Sequence, residues 1–586
     1  MTAQVKILEQ SVYTIPPRGF DLRSDGIWRE VENKNDDVEW VWLCSPIRVL
    51  ALSRDKSGKG WGRLIEVIDP DGNAHRWAFP ASMFAGDGTE LRAGLLYFGM
   101  TLAPGKAARD ALTKLLTSWQ PEIRAITTDR LGWADDTCTS FILGDGRVIG
   151  EDDVVYQHDH VPAAVAEMKE AGTLASWSAD VAQECSGNPL MVMAVSLAFA
   201  GPLLEPLGMD GGGVHLRGAS SRGKSTILRV GMSVWGAPGF MNSWRATANG
   251  LEGVASACNG SMLALDELGE VSARDAGQAA YMLANGTGKV RANRSGMARP
   301  TKRWRVMVLS SGEITLADKM AEVGGRAAAG QTVRLLDIAA DGRTYGAFDT
   351  LHGAPDGAAF SDRLREATAK NYGVAGPAFV QKFLQNPDSI KEEVRSAIAD
   401  FRELVTERFG VLQDGQLQRA IARLGLIAAA GELATQFGLT GWAQGDAQDA
   451  ALDVFSVWVE GRGGSGPSEA REALERVRAF LVEHGDARFE RLDEFANARP
   501  IVNRAGWREG GVYYIATDIW RGEIHRGSDP SHAARHLRDA GFLTPGDSGN
   551  LATRMRNAVP GRPRAYAVSE EIMGWSPKEL SEDLVF

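Results

Sequence analysis

The stretch RGASSRGKSTILRV, residues 217–230, places one lysine between a glycine and a serine, after a loop poor in apolar side chains. Gly218-Ala219-Ser220-Ser221-Arg222-Gly223-Lys224-Ser225 fits GxxxxGK[ST] in full. Val214–Arg217 before it reads as a strand, and the residues from Thr226 to Val234 read as a helix. In that setting the glycines let the backbone curl, so that successive N–H groups point at phosphate oxygens. The start of the helix adds unpaired donors and the positive end of a dipole. Lys224 is placed to reach the β- and γ-phosphates and Ser225 to ligate a magnesium ion. ATP and Mg2+ are the cofactors this pattern predicts.

Further along, Ser261-Met-Leu-Ala-Leu265 is an apolar run of strand length that ends in Asp266-Glu267. Carboxylates at the C-terminal tip of a buried parallel strand face the crevice where ligands bind. Asp266 is expected to hold the hydrated metal, and Glu267 to polarise the attacking water as general base. A third apolar run, Trp304–Leu309, ends in Ser310-Ser311. If its strand lies between the other two, either serine can orient the same water or touch the γ-phosphate. Val333–Ile338 reads as one more core strand, with Arg334 at its mouth and Arg326 before it. Both are candidates for an arginine that completes a neighbouring subunit's site, and a structural salt bridge is the competing reading for each. The alternation of short apolar runs with helices from about residue 208 to 340 predicts an α/β fold with a largely parallel sheet.

Composition bounds the rest. A chain of 586 residues suggests roughly three to five domains. Cys44, Cys138, Cys185 and Cys258 are far apart and form no CxxC pair, which argues against a disulfide framework or zinc ribbon and for a cytoplasmic setting. No signal peptide is evident at the N-terminus. The apolar run from Pro189 is broken by Pro202 and Pro206 and is expected to be a buried helix, with no membrane partner. Net charge is −11, so nucleic-acid contact must come from local patches.

Two such patches stand out. From Lys289 to Arg305 there are seven basic residues and no acidic one, punctuated by Gly296 and Pro300 as in a hairpin. Cations there can track a phosphate backbone; a solvated surface is the alternative. From Arg499 to Tyr566 there are eleven arginines and six acidic residues. The preceding helices and the run WREGGVYYIA outline a winged helix, for which DNA contact and an ordinary mixed-charge surface are equal readings. Residues 1–165 are β-rich, with strands at IWREV, VEWVWLCS, IRVLALS, GRLIEVIDP and HRWAFP and helices near residues 82–98 and 107–119. His158 and His160 lack a third ligand nearby and read as a surface loop. Boundaries are placed at 1–165, 166–375 for the nucleotide-binding core, 376–465 for a helical lid, and 466–586 for the C-terminal part after the linker GRGGSGPSE.

The ordered segments GNPLMVMAVSLAFAGPLL, HLRGASSRGKST, SVWGAP, SWRATANGLE, LALDELGE, NGTGKVRA, LSSGE and GQTVRLLDI resemble the domain-of-unknown-function 927 family, P-loop ATPases of phages and integrative elements. The resemblance takes in TTDRLGW upstream and AGELATQFGLTGW downstream, from about residue 15 to the end. It implies an AAA+ (ASCE) core with a pre-sensor hairpin, a flexible N-terminal domain, a lid and a winged-helix-like C-terminal domain. It carries the ATP site onto Gly218–Ser225 with Thr226, Asp266 and Glu267. DNA contact falls on Lys289, Arg291, Arg294 and Arg299. The expected function is an ATP-driven DNA helicase or translocase that forms a ring, a hexamer, on single-stranded or forked DNA during replication of a phage or mobile element. A primase, polymerase or single-strand-binding protein are its expected partners. The alternative is an AAA+ switch or remodeller that loads another protein on DNA without unwinding it.

Overall fold

Short runs of fully buried apolar residues, each closed by a polar or glycine-rich turn, make the central strands. In the computed structural model these are β1 (Gly212–Arg217), β2 (Asn242–Ser243), β3 (Met262–Asp266), β4 (Met307–Gly312) and β5 (Leu335–Ala339). The structure describes residues 15–576 apart from 33–36, 151–153, 157–166, 290–300, 324–333, 411–414, 462–467, 493–500, 527, 547–549, 556–558 and 560. All five strands are parallel, in the order β2-β3-β4-β1-β5. Strands buried on both faces need helices on both sides, and such strands read as continuous apolar runs rather than alternating ones.

The helices that cover the sheet include α1 (Pro189–Ala200), α2 (Lys224–Met232) and α3 (Ala273–Asn285), while α4 (Gly357–Lys370) packs on α2 and α5 (Gly415–Gln436) on α1. Every residue of α1 from Leu190 to Ala200 is buried. The segment Pro189–Leu207 has the length and apolar composition to cross a membrane, yet it lies inside the fold. It packs between α5 and α2, and a core helix surrounded by protein has no polar face to show. One apolar core runs from Trp133 to Val459 and so includes the helices after the sheet.

Upstream, the β-rich reading holds. A three-stranded antiparallel sheet (Phe20–Arg23, Gly26–Glu32, Val38–Cys44) adjoins a five-stranded mixed sheet, and helices Thr89–Tyr97 and Lys106–Ser118 cover them. Ile27, Trp77, Phe79, Leu112 and Trp119 are the centre of that separate core. A small sheet, Gly132–Trp133, Ser140–Ile142 and Val148–Gly150, packs instead on the central unit. Trp133 Nε1 donates to the Pro202 carbonyl at 2.7 Å, and Phe141 stacks on Trp235 at 5.7 Å.

Some expected elements shift. The strand expected from Trp304 begins at Met307, because Trp304 is tied into the turn after α3: its N–H donates to the Gly286 carbonyl. The last strand begins at Leu335; Val333 lies outside the described residues. Residues 468–575 form an α+β unit around a six-stranded sheet, larger than the single hairpin the sequence outline predicts. Its hairpin, Gly506–Glu509 with Val512–Ala516, precedes the helix Pro530–Asp539, and Arg564–Ser569 pairs beside it.

Candidate nucleotide site

The loop Gly218–Gly223 leaves the C-terminal end of β1 and enters α2 at Lys224. Two of its residues have left-handed backbone, Ser221 at φ 59° and Gly223 at φ 100°. A Cβ on Gly223 would sit 2.7 Å from the Phe348 ring, so this position is closed to larger residues both by its φ and by its neighbour. Lys224 is buried, and its Nζ donates to the carbonyls of Gly218 (2.8 Å) and Ala219 (2.7 Å). The ammonium therefore stays inside the curl of the loop, beside the place where the N–H groups converge.

Strand order decides what meets the loop. Because β4 lies between β3 and β1, the tips of all three converge. Ser225 Oγ, at the start of α2, lies 3.4 Å from Asp266 Oδ1, and Ser311 Oγ donates to the same oxygen. A hydroxyl, a carboxylate and a second hydroxyl thus share one point. No group of three or more His, Cys, Asp or Glu that could hold a metal exists among the described residues. One carboxylate and one hydroxyl nevertheless suit magnesium, which keeps several waters and takes its remaining ligands from phosphates.

Glu267 follows Asp266 in left-handed backbone, φ 64° and ψ 66°, and is exposed. A non-glycine residue in that region costs on the order of 1–2 kcal/mol and persists only where its surroundings fix it. Here they do. The turn Leu268–Glu270 is held by Ser243 Oγ, which donates to Glu270 at 2.8 Å, and by the buried Lys319, whose Nζ donates to the Gly269 carbonyl at 2.9 Å. The strained turn leaves Glu267 exposed at the C-terminal tip of β3, the next residue after Asp266.

Ser310 does not join the site. It is fully buried, accepts from Trp244 Nε1 at 2.8 Å and bonds His215 Nδ1 at 2.9 Å. Alternation along a strand sends neighbouring side chains to opposite faces, so Ser311 reaches Asp266 and Ser310 reaches the core. His215 Nε2 lies 3.0 Å from the Ile314 carbonyl and must donate there; Nδ1 is then the acceptor for the Ser310 hydroxyl. The chain of donors Trp244, Ser310, His215, Ile314 carbonyl is complete only with a neutral imidazole. Burial, aided by the Arg217 and Lys224 charges, pushes His215 down to about 4. Since the folded value lies below the ordinary 6.5, its contribution is fully present above about pH 6.5 and is lost as pH falls toward 4. The loss is on the order of 3 kcal/mol. Denaturant titrations across that window are expected to show this decline in the wild type and a smaller one in His215→Gln.

Of the arginines, Arg326 lies outside the described residues. Arg334 stands at the N-terminal start of β5, next to Gly213 by the pairing of Gly213 with Leu335. That is the end of the sheet opposite the phosphate loop, roughly 15 Å away at the rise of a strand. Its guanidinium lies 4.6 Å from the ring centre of Tyr281. Strand direction fixes this placement: in a parallel sheet the residue before a strand and the residue after it face opposite crevices. Arg334 cannot serve its own chain's loop.

The basic segment begins from an antiparallel stem. Gly288 N–H donates to the Lys302 carbonyl, Trp304 N–H to the Gly286 carbonyl, each at 2.9 Å, and Thr287 pairs with Arg303. Lys289 is exposed, and its N–H donates to Glu252 at 3.4 Å. Arg291, Arg294 and Arg299 lie outside the described residues, as do His158 and His160. Sequence reasoning missed His215, Trp244, Lys319 and Ser243, and also Asp341, whose Oδ2 accepts the Ala219 N–H at 2.9 Å.

Residues 20–303 match the family described as "Domain of unknown function (DUF927)". None of the curated proteins matches the chain. Among solved structures, one described as "SCCmec type IV Cch - active helicase" superposes with a TM-score of 0.71, covering 95% of this chain and 99% of that one. Sequence identity between the two is 19%, a likeness of fold.

Proposed function

We propose, from the match of residues 20–303 to the DUF927 family and the site described above, that the protein is an ATP-dependent DNA helicase of the AAA+ class, working as a ring. The observation that carries this reading is the meeting of Ser225, Asp266 and Ser311 at the tips of three adjacent strands, with Glu267 exposed in the turn that follows Asp266. The strand order, with the phosphate loop on β1, the acidic pair on β3 and a polar tip on the strand between, is the arrangement that suits hydrolysis at the end of a triphosphate. The fold shared with a structure described as an active helicase directs the reading toward DNA.

In this reading the N–H groups of Gly218–Ser225 and the start of α2 hold the phosphates, and Lys224 turns from its two carbonyls to the β- and γ-oxygens. Bound magnesium would neutralise developing phosphate charge, and Ser225 and Asp266 are the residues that would hold it. Glu267 accepts the proton of the attacking water. Ser311 fixes Asp266 and lies where it can meet the γ-phosphate. Arg334, remote from its own loop, is offered to the adjacent subunit, which makes an oligomer part of the site. The stem at Gly286–Gly288 presents the cationic segment from Lys289 onward to a DNA backbone, and residues 468–575 add a second contact.

A forked duplex with a labelled strand tests this. The wild type is expected to unwind it with ATP, and Lys224→Ala to fail. Hydrolysis with neither unwinding nor translocation would favour the remodeller reading. Lys289→Ala combined with Arg291→Ala and Arg294→Ala is expected to weaken DNA-stimulated hydrolysis and to flatten its dependence on salt by about three phosphate contacts' worth of slope. Unchanged stimulation would remove the segment from the DNA path.

A further inference from the structure

We propose that Tyr345 is the stacking platform for the base of the bound nucleotide, and that the base is a purine. This rests on the phosphate-site reading above and extends it from the triphosphate to the nucleoside. The direction of the ligand comes from the sheet. Ser225, Asp266 and Ser311 meet on the side of β1 flanked by β4 and β3, so the reacting end of the triphosphate belongs there. Sugar and base must leave on the other side, where β5 flanks β1.

That side is built by the segment after β5, and it is fastened to the phosphate loop at three points. Asp341 Oδ2 accepts the Ala219 N–H at 2.9 Å. Ala347 N–H donates to the Arg222 carbonyl at 2.9 Å. The Phe348 ring fills the space over Gly223. Gly346 has φ +82°, and a Cβ there would stand 2.9 Å from the Arg222 carbonyl oxygen, so only glycine lets the turn come this close. The turn is also closed on itself: Arg343 N–H donates to the Gly346 carbonyl at 3.1 Å, and Tyr345 N–H to the Phe348 carbonyl at 2.8 Å. Arg343 anchors its base through Asp453 and Asp349.

Within this turn Ala347 and Phe348 are each 1% exposed, whereas the Tyr345 side chain is 49% exposed. A large ring left open on a turn that is otherwise committed to holding the phosphate loop has the chemistry of a stacking surface. Aromatic rings take any base on their π-face, and a purine offers the larger area. A contact of this kind changes affinity by about tenfold or more.

The test uses the full chain with magnesium and three probes: ATP, UTP and inorganic triphosphate, which has phosphates and no base. Tyr345→Ala is expected to raise the KM and Kd for ATP about tenfold, leave kcat at saturation within about twofold, and leave triphosphate affinity unchanged. It should also narrow the preference for ATP over UTP. Tyr345→Phe is expected to restore ATP binding, since the ring and not the hydroxyl carries the contact. The proposal is overturned if Tyr345→Ala binds ATP like the wild type, or if ATP and triphosphate weaken together, which would mean the residue acts by shaping the loop. Failure of the phosphate reading looks different: wild-type protein would bind none of the three probes, Lys224→Ala would change nothing, and both readings would fall.

Discussion

Glu267→Gln is expected to lower the turnover number for ATP by about 10²–10⁴-fold while nucleotide affinity stays within a few-fold of the wild type. The substitution keeps size and hydrogen-bonding reach and removes the one property the proposed step needs, a carboxylate that takes a proton from water. Geometry isolates the effect. Glu267 is exposed and follows Asp266 in a left-handed turn fixed by Ser243 and Lys319, so the amide inherits the same backbone. The hydroxyl and carboxylate that suit magnesium belong to Ser225 and Asp266, which the change leaves alone. Steady-state hydrolysis together with nucleotide titration reads both quantities. A variant that turns over at the wild-type rate would place the base elsewhere, and one that loses binding and turnover together would mean that the turn itself had moved.

Lys224→Ala is expected to cost about 10²–10³-fold in turnover and to remove most nucleotide affinity. The ammonium is held inside the loop by the Gly218 and Ala219 carbonyls, so its charge is already positioned before phosphate arrives. Its removal takes a fixed positive charge from a partly buried site, where such a charge acts more strongly than in water. The ligand-free protein should lose only about 1–3 kcal/mol, because Ala219 is exposed to water and the buried Gly218 carbonyl alone is left without its donor. The contrast is the measurement. Thermal unfolding without nucleotide should be close to that of the wild type, and the upward shift that ATP produces in the wild type should vanish in the variant. An unchanged shift would mean the loop does not bind phosphate.

How much of this site could be read from the chain follows from how its parts are spaced. In the proposed reading the loop Gly218–Gly223 would hold phosphate with consecutive backbone N–H groups, so its residues must be neighbours in sequence and the motif is visible there. Asp266 and Glu267 were legible because an apolar strand that stops at two acids has little reason to do so in a core. Ser311 was half legible: either of two adjacent serines would have served, and only the pleat of β4 sends one to Asp266 and the other to His215. The buried chain through Trp244, Ser310 and His215 joins residues 95 and 66 positions apart, and strand order alone brings them together. Asp341 and Lys319 were invisible for the same reason. Arg334 was legible as a residue at the mouth of a strand, but the pattern does not say which crevice the start of that strand faces. The N-terminal sheets were legible by their turn signals, whereas the C-terminal sheet gathers strands of two to six residues that carry little pattern each.

Helix α3 (Ala273–Asn285) is capped by Ser272, just after the strained acidic turn, and by Gly286, where the basic stem starts. It is an unbroken rod whose thirteen residues span roughly 20 Å, the full height of the sheet. In the helicase reading proposed above, such a rod would serve as a lever with its fulcrum near Glu267. Tilting it by about 10° sweeps the far end through roughly 3 Å, a stroke comparable to the rise of one nucleotide in a stacked strand. On that reading a small rearrangement at the acid would be enlarged where the basic stem starts, without any change inside the helix itself.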